Sequence, residues 1–125
     1  MKILTIVTLF ALSLSVSAYE IDTANSAISN NVENAIRAEI TKRCEGSTDS
    51  VKSLKLNTLS VDRVRIDQGY IEDHLTLSFG VEYKQAPSQT SEIFFRIVDV
   101  VADRSGQLDT YVIDFATESG DNCYL

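Results

Sequence analysis

An α+β fold, with one N-terminal helix packed on a bent four-stranded antiparallel sheet, is what this sequence predicts. Three observations carry that expectation. Apolar residues recur every three or four positions between Ile21 and Cys44, then every second position from Leu75 onward, and short turns built from Gly, Pro, Asp and Ser separate the alternating stretches.

The first element, residues 1–18, reads as a signal peptide. Lys2 supplies a positive start, Ile3 to Leu14 an apolar core, and Val16-Ser17-Ala18 a small-residue cleavage site. The core is interrupted by Thr5, Thr8 and Ser13 and falls short of the roughly 20 apolar residues a membrane-spanning helix needs. Tyr19, not cysteine, follows the expected cut, so the lipoprotein acceptor is missing. A retained anchor is the alternative; cleavage leaves no membrane anchor, a single α+β domain over 19–125, and a periplasmic or secreted address. The formal net charge of −7 becomes −8 once Lys2, the leader's one charged residue, is removed. Such a balance argues against nucleic acid and anionic membranes as partners, because both require neutralising Lys and Arg.

The helix comes next. Ile21, Ala24, Ala27, Ile28, Val32, Ala35, Ile36, Ile40 and Cys44 form one stripe, with Asn30, Asn31, Glu33, Asn34, Arg37 and Lys42 on the other side. Asp22 or Thr23 is placed to cap the first turn, Lys42 and Arg43 suit the negative end of the helix dipole, and Gly46 lies just past the end.

Three strands follow as a meander. Leu75, Leu77, Phe79, Val81 and Tyr83 alternate with Thr76, Ser78, Gly80, Glu82 and Lys84, giving one buried and one wet face. Ser91 to Val101 is entered through the Gln85-to-Thr90 turn with Pro87, and Leu108 to Ala116 through Asp103-Arg104-Ser105-Gly106, whose glycine supplies a positive φ. The stretch from Val51 to Ile66 shifts parity twice, passing from Leu54 and Leu56 to Leu59 and Val61 and then to Val64 and Ile66. A regular strand cannot place all six on one face. Either bulges bend one long strand, or two short strands meet near Asn57 or Asp62.

In element order the chain resembles the cystatin-like arrangement, a helix gripped by a curved meander. The inhibitory motifs of that family are a Gln-x-Val-x-Gly first loop and a Pro-Trp pair. Gln68-Gly69-Tyr70-Ile71-Glu72 stands in place of the first, and the chain contains no tryptophan. The resemblance implies an arrangement of elements and no inhibitory residues.

Catalytic, metal and cofactor signatures are not found. His74 is the single histidine, and Glu72-Asp73-His74 reads as a solvated hairpin turn. Asp99, Asp103, Asp109 and Asp114 fall near adjacent strands and supply carboxylates by number, but Asp103-x-Ser105-Gly106 departs from a calcium loop in the position of its glycine. Asp99 lies inside an apolar strand and, if buried, needs a cation or hydrogen bonds, most simply from a cross-strand partner. Cys44 and Cys123, the only cysteines, are expected to pair across a loop of about 80 residues, which the chain-entropy model values at roughly 4.5 kcal/mol.

Ile93 to Val101 is apolar on both faces. If Ile93, Phe95 and Ile97 meet the helix together with Tyr111, Ile113 and Phe115, then Phe94, Val98 and Val100 point outward beside Val112, flanked by Thr76, Ser78 and Arg96. This outer face is the candidate partner-binding surface. The expectation is an acidic binding module, an inhibitor or partner of a basic secreted protein. The alternatives are a self-associating structural envelope protein, and a small hydrolase or ligand carrier with a cleft between helix and sheet.

Overall fold

Six elements follow in the order β1 (Glu20–Asp22), α1 (Asn30–Arg43), β2 (Val51–Asp67), β3 (Tyr70–Tyr83), β4 (Thr90–Ala102) and β5 (Thr110–Thr117). The structure is a computed structural model that describes residues 19–23, 28–44, 50–86 and 90–117. The strands form one sheet in sequence order, with β2 to β5 antiparallel as expected. The fold is α+β, one helix packed against this sheet, and the helix precedes the meander.

The expected count of four strands is corrected to five. Glu20–Asp22, of which Ile21 and Asp22 fall in the expected start of the helix, instead pairs parallel to Ser53, Leu54 and Lys55. One apolar residue between two acids fits either period, and three residues are too few to separate them. The helix starts later than expected because Ser29, not Asp22 or Thr23, is its cap: Ser29 is extended and its Oγ accepts from Val32 N at 3.2 Å. At the other end, Lys42 and Arg43 occupy the last turn as anticipated, and Cys44 N donates to Ile40 O at 2.8 Å. Gly46 lies outside the described residues.

Val32, Ile36, Ile40 and Cys44, spaced four apart, are the buried stripe of α1. They meet Leu75, Leu77, Phe79 and Val81 of β3 and Ile93, Phe95 and Ile97 of β4 in one core. Phe95 is central: its ring stands edge-on to Phe79 (centroids 6.0 Å apart) and to Phe115 (5.0 Å). The Arg43 guanidinium lies 5.6 Å above the Phe115 ring. Tyr19, the residue after the expected leader, belongs to the same core. Its hydroxyl donates to Arg37 O at 3.1 Å, and Arg37 Nη1 donates to Tyr19 O at 2.9 Å. Burial raises the Tyr19 phenol above its ordinary value, against opposing hydrogen bonds and charge from Thr41 and Arg37.

A bulge resolves the first parity shift in β2. Leu56 pairs with Phe79 and Thr58 with Ser78, so Asn57 is an extra residue. Leu54, Leu56, Leu59 and Val61 thereby share the helix-facing side. No shift occurs at Asp62, and Val64, opposite Glu72, therefore lies on the outer face. The β2–β3 turn has Gly69 at φ 83°, with the Arg104 side chain so near that a Cβ there would come within 2.9 Å of it. Gly106 has φ 74°, and its N–H donates to Asp103 O at 3.0 Å, closing the expected Asp103–Gly106 turn. Residues 87–89, which include Pro87, lie outside the described residues.

Asp99 is buried on the inner face. Thr110, its register partner on β5, donates its hydroxyl at 2.6 Å, and Ser29 donates at 3.2 Å to the other oxygen. The helix cap thus holds the sheet's buried carboxylate with the same oxygen that accepts Val32 N–H, at the positive end of the helix.

Candidate functional site

Strand alternation decides which of the expected surface residues share a face, and a second bulge alters the answer. Arg96 pairs with Asp114, but Ile97 pairs with Val112, which leaves Ile113 as the extra residue. Val112 is turned inward and packs on the core, which corrects its outer-face assignment. Tyr111 and Ile113, expected against the helix, are 45% and 49% exposed. Tyr111 lies opposite Val98, on the outer face.

The remaining candidates divide into two groups. Thr76, Phe94 and Arg96 are exposed, and Phe94 retains 42% of its surface. Ser78 is buried and shares a 2.7 Å hydrogen bond with Thr58, so it offers no free hydroxyl. Val98 and Val100 retain only 1% and 4% of their surface. They do point away from the helix, but His74 and Tyr111 flank Val98, and Glu72 lies beside Val100. The outer face is therefore self-covered at one end and open around Phe94. There a hollow of about 130 Å³ is lined by Thr76, Phe94, Phe95, Arg96, Asp114 and Ala116. Other large exposed apolar side chains are spread along β5 and the connection before it: Ile113 at the bulge, Tyr111 opposite Val98, and Leu108 farther still from Phe94. Asp109 and Asp114 are exposed among them.

Glu72-Asp73-His74 is not a turn. The turn is complete at Gln68-Gly69 and the strand resumes at Tyr70, so Tyr70, Glu72 and His74 share the outer face. Glu72 Oε2 accepts from the Tyr70 hydroxyl at 3.1 Å, and Oε1 lies 3.0 Å from His74 Nε2. The hydrogen bond to Glu72, followed by burial, raises the Tyr70 phenol above its ordinary value. The array can orient His74, yet among the described residues it meets no serine or cysteine nucleophile. No group of three metal-ligating side chains occurs among the described residues either.

The four strand-proximal aspartates do not assemble into an acid pair. Asp99 is buried inside, Asp103 and Asp109 lie in the β4–β5 connection, and Asp114 is on the outer face. The acid opposite Asp99 is Asp73, held by a two-pronged Arg63 contact at 2.8 and 3.0 Å. That guanidinium keeps the Asp73 carboxyl below its ordinary 3.8. A depressed folded-state value stabilises the fold above the ordinary value, and the contribution disappears as pH falls through the folded one. Arg63→Gln should thus destabilise slightly at pH 7, and acid titration of unfolding should show the difference from the parent shrinking below about pH 4.

Cys44 is buried and is not a free thiol. Cys123 lies outside the described residues. No helix among the described residues is long and apolar enough to cross a membrane. No protein-family model, curated protein or solved structure matches the chain.

Proposed function

We propose that this protein is a small exported acidic binding module, periplasmic or secreted, that engages a basic protein partner through the open part of its outer sheet face. The observation that carries this reading is Phe94: a half-exposed aromatic ring beside a hollow whose charged lining residues are Arg96 and Asp114, with Tyr111 farther along the same face. An apolar centre with charged neighbours suits a surface where aromatic anchors supply affinity and charge supplies rate. A net charge of −8 after leader removal would draw a basic partner from a distance. Export is read from the leader's three-part pattern. In that setting Cys44 pairs with Cys123 and ties the end of α1 to the chain's tail.

Affinity capture from the native envelope or medium with the purified protein, at low and high salt, tests the reading. A basic protein should be captured at low salt and lost at high salt. Phe94→Ser should weaken its binding by about tenfold or more, as expected for an aromatic anchor. Capture unchanged by Phe94→Ser would overturn the assignment. Light scattering that finds a dimer sensitive to Phe94→Ser would favour self-association. Non-reducing intact mass should equal that of chain 19–125 less two hydrogens.

A further inference from the structure

Gly80 interrupts the outer face of β3 at a place where every neighbour is polar. Lys55 on β2 and Glu92 on β4 are its partners on either side, so roughly 10 Å separates their α-carbons across the missing side chain. A hollow of about 430 Å³ lies over this gap, with walls that include Ser53, Lys55, Glu82, Ser91 and Glu92. That volume falls in the usual range of small-molecule sites, about 300–1,000 Å³. A glycine inside a strand commonly marks close approach by another group, and here the Asn57 side chain, set by the β2 bulge, occupies one side of the gap. The remainder is open.

The walls carry opposite charges that do not meet each other. Glu92 Oε2 accepts from Asn57 Nδ2 at 3.1 Å, which fixes the carboxylate. Glu82 is held by Lys52 at 3.1 Å and by the Ser53 hydroxyl at 3.4 Å. Lys55 makes no ion pair among the described residues. An oriented carboxylate on one wall and a free ammonium on the other, with only a glycine between them, match a ligand with a cation at one end, an anion at the other and a slim middle.

We infer that the Gly80 hollow is a binding site for a short zwitterionic peptide. Its amino terminus sits at Glu92, its carboxylate at Lys55, and its main chain lies over the glycine. Three extended residues span roughly 10 Å, the separation of the two walls. The site is distinct from the Phe94 surface and stands or falls independently of it.

The test is a nuclear magnetic resonance titration of the isotope-labelled protein with trialanine. Saturable shifts are expected at Ser53, Lys55, Gly80 and Glu92. N-acetyl-trialanine-amide, which lacks both end charges, should bind at least about fivefold more weakly, the scale of an exposed ion pair. Lys55→Glu and Glu92→Gln change exposed groups and should each weaken trialanine similarly while leaving the circular dichroism unchanged. Equal affinity for capped and uncapped peptide, shifts confined to other faces, or no shifts up to tens of millimolar would overturn the assignment.

Discussion

Replacing Phe95 by alanine should lower the unfolding free energy by about 3–5 kcal/mol, measured by denaturant titration with an unchanged slope. Phe95 is 1% exposed and, among the described residues, is the ring that touches both other core phenylalanines, so its removal takes two edge-on contacts and opens a cavity lined by Phe79 and Phe115. Neither neighbour can collapse freely into the space. Phe79 is fixed on β3 opposite Leu56 and Ile93, and Phe115 is covered by Arg43. With a typical domain holding about 5–15 kcal/mol in total, such a loss would leave little reserve. Phe95→Leu preserves most of the volume and should cost about 1.5 kcal/mol. A loss below 1 kcal/mol for the alanine variant, an order-of-magnitude threshold for buried aromatics, would mean that the core reorganises around the gap.

Asp99→Ala should cost about 1 kcal/mol, because it removes the shared acceptor of the half-buried Thr110 hydroxyl and the exposed Ser29 hydroxyl, which water can only partly replace. One opposing effect reduces the loss: the substitution also relieves the burial of a carboxylate that has no cation partner among the described residues. The positive end of α1 and two hydroxyl donors offset that burial in the parent, so the net sign remains destabilising. Asp99→Asn, which keeps an acceptor oxygen, should lose about half as much. Ser29 both caps the helix and donates to Asp99, so Ser29→Ala and Asp99→Ala should be non-additive by about 0.5–1 kcal/mol in a double-mutant cycle.

The helix stripe from Val32 to Cys44 and the β3 alternation were legible because each extends over several periods, and burial imposes a single face on such runs. The start of the helix was not. Ile21 sits between two acids in a segment too short to carry a period, and its pairing with Leu54 is a long-range event that local pattern does not encode. The bulges were half legible. Leu56 and Leu59 are three apart where a strand demands two, and the same interval separates Val112 from Phe115, where Ile113, itself apolar, masks the break in alternation. Both intervals mark an extra residue, and the second one moves Val112 inside and Tyr111 outside. Of the residues expected on the outer face, Thr76, Phe94 and Arg96 are exposed there, whereas Val112 turns inward. The Tyr70-Glu72-His74 array was obscured by taking three consecutive polar residues for a turn, although two of them, two apart, had to point the same way.

The Ser29 to Asp99 hydrogen bond joins groups 70 residues apart, and the β4 and β5 side chains beneath α1 are comparably remote in the chain. A helix made early therefore lacks part of its packing surface until the fourth and fifth strands exist. Its own 14 residues are close to the length at which isolated helices are marginal in water. Closure of the core beneath α1 must therefore wait for nearly the whole domain to be synthesised, and during that interval the apolar stripe of α1 is left incompletely covered.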